Sequence, residues 1–279
     1  MSYKIVVDSC CELPKELKQD VRFESVPLTL IVGDVYEKED DENFNQKEFL
    51  EIVAKSSVCA KSACPSPERY MQAYQTEAEN VYVITLSSHL SGSYNSAVLG
   101  KNLYHENFGA KNIYVVDSKS ASCGETQIAY KLMEYEEAGL SFEEITEKIE
   151  EFVKNMNTYF VLDNLDTLRK NGRLSGVKAL VASTLSIKPV MGAEDGTIIQ
   201  RGQSVGIKKA LAKMADLIVK EAVKPEEKNL IITHCNAPER AQSVMEQITA
   251  KISVKNTLIM DTAGLSSLYA NDGGVIVTL

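Results

Sequence analysis

The side chains best suited to chemistry in this sequence are the small hydroxyls of the segment SSHLSGSY, residues 87–94, which we call the serine loop. An apolar run at residues 81–86, typical of a buried strand, precedes the loop, and a stretch with helical character follows it. The start of a helix leaves backbone N–H groups free, and here serine hydroxyls lie beside them. The loop therefore predicts a binding site for an oxygen-rich head group, with an ordinary serine cap as the alternative.

Two Asp-Ser pairs follow other predicted strands, at Asp8-Ser9 and Asp117-Ser118, and a further serine turn lies at residues 61–65. Because the carboxyl ends of strands in an open parallel sheet share one edge, we expect these turns to meet the serine loop. Taken singly, each pair favours a helix cap or an Asx-turn. Taken together they predict one polar rim, formed by Asp8, Ser9, Ser88, Ser91, Gly92, Asp117 and Ser118.

Two other kinds of site fit the loop less well. A nucleophilic serine needs a base within hydrogen-bond reach, and the Gly-x-Ser-x-Gly elbow is absent, although His89 and His234 are candidates for a base acting on Ser91. A phosphate site is disfavoured because neither Gly-x-Gly-x-x-Gly nor Gly-x-x-x-x-Gly-Lys occurs. Hydroxyls both donate and accept hydrogen bonds, so the loop favours a carboxyl group.

Composition excludes several classes of protein. The formal net charge of −9 disfavours nucleic acid as a partner. No apolar run is long enough for a membrane span or a signal peptide, so we expect a cytoplasmic protein whose six cysteines are reduced thiols. Cysteines and histidines lack metal-site spacing, and no metal is expected.

The pattern of elements predicts two domains of an α/β protein. Residues 1–156 alternate short apolar runs with amphipathic stretches, which predicts a mostly parallel sheet flanked by helices. Residues 157–279 predict an α+β domain with a hairpin turning at Asp195-Gly196, a long helix at 207–223 and strands at 230–233, 257–260 and 275–278. The acidic segment 34–42 favours a solvated loop. A ligand site is expected in the crevice between the domains.

A second unusual segment, residues 162–175, clusters Arg169, Lys170 and Arg173 on an otherwise acidic protein. Cations at the end of a solvated helix are one explanation, since they complement the helix dipole. A docking surface for an acidic or phosphate-bearing partner is the other.

These segments together resemble the DegV family, the lipid-binding proteins that serve bacterial fatty acid kinase. The resemblance spans nearly the whole chain, and its most specific parts are the serine loop and the Gly172-Arg173 segment. Supporting matches are Asp8-Ser9 with Leu13-Pro14, the turn at 61–67, Val116-Asp117-Ser118-Lys119, Ile187-Lys188-Pro189 and Asp195-Gly196.

The resemblance implies a two-domain α/β protein that buries one long-chain fatty acid and holds its carboxyl by hydroxyls and a backbone amide. The implied positions are Ser62, Ser91 and Gly92, and we extend the ligand-binding set to Ser93 and Ser118. The protein would perform no bond chemistry, use no cofactor other than the bound fatty acid, and present the carboxyl to a separate fatty acid kinase. Arg169, Lys170 and Arg173 would contact the kinase, and transient membrane contact is compatible with this role.

Two positions depart from the family pattern. Ala270 stands about where the family has a histidine that helps hold the head group, and a family arginine is replaced near Val205. Burial of about fifteen methylenes at roughly 0.8 kcal/mol each would still favour lipid binding. Two alternatives stay open: an acyl hydrolase or transferase that uses Ser91 with His89 or His234, and a carrier of another apolar carboxylate without kinase coupling.

Overall fold

The computed structural model describes residues 2–174, 177 and 186–279. In chain order its strands are β1 (Tyr3–Asp8), β2 (Phe23–Val26), β3 (Thr29–Val32), β4 (Tyr36–Glu39), β5 (Lys61–Ala63), β6 (Asn80–Thr85), β7 (Asn112–Asp117), β8 (Thr158–Val161), β9 (Ile187–Glu194), β10 (Thr197–Val205), β11 (Asn229–His234), β12 (Asn256–Asp261) and β13 (Val275–Thr278). Its helices are α1 (Lys15–Lys18), α2 (Gln46–Lys55), α3 (Pro67–Ala73), α4 (Ser93–Phe108), α5 (Cys123–Glu137), α6 (Phe142–Asn155), α7 (Asp166–Lys170), α8 (Ile207–Glu221), α9 (Pro238–Thr249) and α10 (Gly264–Ala270), with a 3-10 turn at Pro225–Glu227. Within these ranges no helix is long and apolar enough to cross a membrane.

The first sheet is parallel throughout and has the strand order β2-β1-β6-β7. Side chains of α5 and α6 pack against one face of it, and side chains of α3 and α4 pack against the other. Because both faces are covered, every residue of β6 is buried, and its sequence is continuously apolar rather than alternating. The predicted parallel sheet with flanking helices is confirmed.

The second sheet is mixed and has the order β10-β9-β8-β13-β11-β12. Helices α8 and α9 pack on one face through an apolar cluster that includes Met214 and Val244. The predicted hairpin is confirmed: Asp195 and Gly196 join β9 to β10, with φ of 46° and 78°. Two consecutive residues with positive φ match the twist of a tight two-residue hairpin turn.

A third sheet, β4-β3-β5, is antiparallel and was not predicted. The acidic segment 34–42 was wrongly interpreted as a solvated loop, because its charged residues lie on the exposed side of β4. Asp40 at the end of that strand is buried, and its two carboxylate oxygens accept hydrogen bonds from Gly264 N and Leu265 N at the start of α10. The turn predicted at residues 61–65 also contains strand β5, which pairs with β3.

Helix boundaries follow the sequence signals closely. Ser66 caps α3 ahead of Pro67, and Ser141 forms a reciprocal capping box with Glu144 at the start of α6. Helix α6 ends at Asn155, and Met156 after it has an extended backbone. In both helices the serine before the first turn accepts a backbone N–H that would otherwise lack a partner.

Candidate functional site

Asp8 and Asp117, two residues of the predicted rim, meet the serine loop at the carboxyl edge of the first sheet. Asp8, fully buried at the end of β1, accepts hydrogen bonds from Cys10 N at 3.1 Å, Leu86 N at 3.0 Å and Ser93 Oγ at 2.6 Å. Asp117 at the end of β7 accepts from Ser88 N and Ser88 Oγ. Both carboxylates therefore fix the serine loop by hydrogen bonds, Asp8 through Ser93 and Asp117 through Ser88.

An apolar cavity lies between this edge and the second sheet. It has about 820 Å³ of empty space, its open mouth and the solvent there included. Residues from both sides of position 156 line it, and most of them are apolar: Leu28, Leu86, Leu90, Ala121, Phe160, Leu162, Leu168, Ala193, Ile198, Leu265, Ala270 and Ile276. The apolar lining suits a hydrocarbon chain.

One part of the cavity wall carries hydroxyls. Ser62 Oγ and Tyr269 Oη share a hydrogen bond at 3.1 Å, and both residues line the cavity. Ser91 also lines it, and its Oγ accepts a hydrogen bond from Ser93 N at 3.2 Å. Within the described ranges Ser91 Oγ donates to no other group, so its proton is available to a ligand oxygen.

Three other residues of the predicted ligand set lie off this wall. Ser93 is fully buried and its hydroxyl bridges Asp8 and Tyr70, while the Ser118 hydroxyl donates to Ser120 O. The Gly92 N–H is exposed at the start of α4 and has no hydrogen-bond partner among described residues, but Gly92 does not line the cavity. The structure therefore brings Ser62 and Ser91 to the cavity, and gives Ser93 and Ser118 internal partners.

Arg173 lies in the cavity wall rather than with its basic neighbours. Its Nε donates to Leu90 O at 3.1 Å, its Nη1 donates to Asn171 O at 2.6 Å, and its guanidinium lies 5.4 Å from the centre of the Tyr269 ring. In the part of the chain described, Nη2 has no hydrogen bond and the guanidinium has no ion pair. A cation that is held in position and unpaired beside hydroxyls is suited to bind a carboxylate.

The other two predicted partner-binding residues are exposed. Arg169 pairs with Asp166 three residues earlier on α7, and Lys170 lies beside it. A turn through Gly172, whose φ is 76°, separates Arg173 from them. Because the helix ends before this turn, the three cations do not share one face.

Neither candidate histidine is placed to activate Ser91. His234 is buried in β11, where its Nδ1 accepts from Ala237 N and lies 3.4 Å from Asp261, and burial lowers the pKa of its ring. The described contacts of His89 include a backbone bond to Ser87 Oγ, but no bond joins either imidazole to Ser91 Oγ across the described residues. The geometry gives no support to a serine hydrolase.

Sequence reasoning missed Tyr269 and the orientation of Arg173. Tyr269 is 207 positions from Ser62, and they come together because α10 packs on β3, with which β5 pairs. Ala270, at the position of the family histidine, is buried in the cavity wall, while Val205 is 61% exposed at the end of β10.

Fold and site define a two-sheet α/β protein with an apolar cavity whose polar end is formed by hydroxyls and one arginine. A family model described as an uncharacterised protein of the DegV family matches residues 2–277. A DegV domain-containing protein of Streptococcus gordonii is 35% identical over 281 residues, covering 99% of this chain and 98% of the relative. The chain belongs to the DegV family.

Solved structures agree with this assignment. A DegV-family protein from Ruminococcus gnavus, refined with vaccenic acid, is 52% identical, with a TM-score of 0.97 over 100% of this chain and 99% of that chain. The fatty acid kinase B3 protein of Streptococcus pneumoniae, loaded with linoleic acid, is 34% identical, with a TM-score of 0.89 over 100% of this chain and 99% of that chain.

Proposed function

We propose that this protein binds one long-chain fatty acid in the apolar cavity and presents its carboxyl group to a separate fatty acid kinase. The observation that carries the proposal is that the cavity wall holds Arg173, which has no ion pair among the described residues, beside the hydroxyls of Ser62, Ser91 and Tyr269. The relatives from R. gnavus and S. pneumoniae, which hold vaccenic and linoleic acid, support the same class of ligand.

The energetics suit a carrier. Burial of an acyl tail at roughly 0.8 kcal/mol per methylene supplies most of the affinity, and the costs of association and ordering reduce it. The polar end then fixes the orientation, because a carboxylate left among apolar side chains would lose its hydration without compensation. Arg173 supplies the charge, and Ser62, Tyr269 and Ser91 supply neutral donors.

The protein itself performs no bond chemistry in this proposal. In the coupled reaction a carboxylate oxygen attacks the γ-phosphorus of ATP on the kinase, the bond to ADP breaks, and an acyl phosphate forms. The kinase relationship is supported by the name of the S. pneumoniae relative. We propose Arg169 and Lys170, which are exposed on α7 beside the cavity-lining Leu168, as contacts of an acidic surface on the kinase, and a cytoplasmic location for both proteins.

Mass spectrometry of protein purified from bacteria and then denatured tests the binding. One equivalent of fatty acid is expected, and protein purified free of any lipid and unable to take up linoleic acid would contradict the proposal. Adding a purified fatty acid kinase and ATP tests the coupling: formation of acyl phosphate supports it. Binding without phosphorylation would favour the second candidate, a carrier without kinase coupling. The two departures from the family pattern, Ala270 in place of a histidine and Val205 near a replaced arginine, are the reason to keep this candidate for this chain.

A further inference from the structure

The unpartnered buried oxygens of the described chain all lie in one place. They are Glu12 Oε2 and both carboxyl oxygens of Glu125, and the charges of both residues act on Cys10, which lines the cavity. Glu125 is fully buried and Glu12 is 3% exposed. Buried polar atoms nearly always have a partner, so a group of three that lack one requires an explanation.

Asp8 and Glu125 form the centre of this cluster, and they differ in their hydrogen bonds. Carboxyl oxygens of both residues and Cys10 Sγ all lie within 4.8 Å of one another. Asp8 accepts three hydrogen bonds from the protein, which stabilise its charged form. Glu125 accepts none, so an ionised Glu125 would be buried beside a second negative charge with nothing to offset it.

Among the residues that the structure describes, no basic side chain compensates this charge. The titratable groups that face the pair are Cys10, Cys11 and Glu12 from the loop after β1, Asp40 from the loop after β4, and Tyr70 from α3. Across the described ranges Asp8, Glu12 and Glu125 form no ion pair with lysine, arginine or histidine. Either a proton or a bound cation must neutralise Glu125.

We propose that Glu125 is a neutral carboxylic acid that donates a hydrogen bond to Asp8, so that the two groups share one proton, and that this proton controls how firmly the serine loop is held. Asp8 Oδ1 accepts only one hydrogen bond from the protein and has room for this donor. Burial and the charge of Asp8 raise the pKa of Glu125 well above its ordinary value. A shared proton satisfies the pair without an outside ion, as in other close carboxyl pairs.

The pair is connected to the cavity by a chain of contacts. Asp8 holds the Ser93 hydroxyl, Ser93 N donates to Ser91 Oγ, and both Ser91 and Cys10 line the cavity. Removal of the proton would place two carboxylates side by side under the serine loop. We therefore expect alkaline pH to loosen the loop and speed the release of lipid. This last step rests on the proposed function, whereas the shared proton does not.

Urea unfolding of lipid-free protein between about pH 7 and pH 8.5 tests the shared proton. The shared proton should make the unfolding equilibrium constant of the native sequence rise by up to about tenfold per pH unit, because only the unfolded chain has lost it. The buried cysteines, whose pKa burial raises, add a rise of their own in every variant. In Glu125→Gln an amide N–H replaces the acid proton, so the rise should be smaller by the share of one proton, and the variant should stay within about threefold of the native sequence at pH 7. Glu137→Gln, an exposed change on the same helix, should keep the dependence.

An unchanged pH dependence in Glu125→Gln would overturn the proposal. So would one equivalent of divalent metal in the purified protein, with stability lost on chelation, because the pair would then be a cation site. If Glu125→Gln does not fold, infrared spectra of Glu12→Gln decide, because Glu12, whose pKa is about 7, would otherwise give a band of its own: a protonated carboxyl band at pH 7 that fades at alkaline pH supports the proposal, and absence of that band refutes it.

The release of linoleic acid tests the coupling. Release should be faster at about pH 8.5 than at pH 7 in the native sequence and independent of pH in Glu125→Gln; equal acceleration in both would refute the coupling. A protein that binds no lipid at all would contradict the proposed function, while the unfolding experiment would still decide whether the proton is shared.

Discussion

Removing the charge of Arg173 is the sharpest test of the polar end of the cavity. Arg173→Met keeps a long unbranched side chain and deletes the one unpaired cation seen in the cavity wall among described residues. A hydrogen bond to a charged group is worth about 1.5–3 kcal/mol, so the affinity for linoleic acid should fall about 12- to 140-fold. The tail contacts should be unchanged.

The methyl ester of linoleic acid separates loss of charge from loss of packing. The ester keeps the tail and carries no charge, so the native protein should bind it more weakly than the acid. In Arg173→Met the two ligands should bind almost equally well, because the partner of the carboxylate is gone. Arg169→Met removes an exposed cation that pairs only on the surface and should leave both affinities within about twofold.

Competition with a fluorescent fatty acid on delipidated protein would give the affinities of the native protein and of Arg173→Met for the acid and for the ester. If Arg173→Met still bound the acid more tightly than the ester, Arg173 would not be the partner of the carboxylate. If Arg173→Met bound lipid normally but failed in phosphorylation, Arg173 would belong to the kinase surface, as the sequence resemblance implies. Unfolding should be measured in parallel, since Arg173 also donates to Leu90 O and Asn171 O.

Three further changes have defined outcomes. Tyr269→Phe removes a neutral donor beside Ser62 and should weaken binding of linoleic acid about fivefold, at about 1 kcal/mol, with little change in the urea midpoint. Asp40→Ala removes the acceptor of two backbone N–H groups at the start of α10 and should lower the free energy of unfolding by about 1–2 kcal/mol, measured by urea titration. Burial raises the pKa of Glu12 to about 7, above its unfolded value, so its contribution to stability is complete below about pH 4.5 and is lost as pH rises to about 7; Glu12→Gln should flatten the stability profile in that window.

Sequence periodicity was sufficient for the regular parts of the fold. The parallel sheet follows from continuous apolar runs such as β6, and the hairpin follows from Asp195-Gly196 between two apolar runs. Strand β4 escaped prediction because three of its four residues are charged and exposed, so no apolar alternation marks it. Short edge strands of this kind depend on pairing with a distant strand, here β3, rather than on their own sequence.

The candidate site was predictable only where it follows strand ends. Asp8 and Asp117 were expected at one edge because parallel strands share it, and the structure places the serine loop between them. The Ser62–Tyr269 bond depends on how α10 packs on the third sheet, which was not predicted. The orientation of Arg173 depends on one turn at Gly172, whose conformation the sequence does not specify.

The division of the chain into two domains at residue 156 stays a proposal. Hydrogen bonds that cross this position should keep the two halves from unfolding separately. Gln127 on α5 donates to Asn229 O at 2.6 Å, and Gln46 on α2 donates to Thr262 O at 2.9 Å. Asp40 caps α10 from the other side of the same division. We therefore expect the two halves to unfold together in one transition, with fluorescence and circular dichroism giving the same midpoint.

Weakening one of these contacts should destabilise both halves together. In Gln127→Leu an apolar side chain of similar size leaves the carbonyl of Asn229 without this donor, which should destabilise the native state by about 1–3 kcal/mol while preserving a single transition. Gln242→Leu, on the exposed face of α9, is the matched control and should change stability by less than about 0.5 kcal/mol. Two separate transitions in the native sequence would show that the halves are independent, and that the cavity between them can open without unfolding either one.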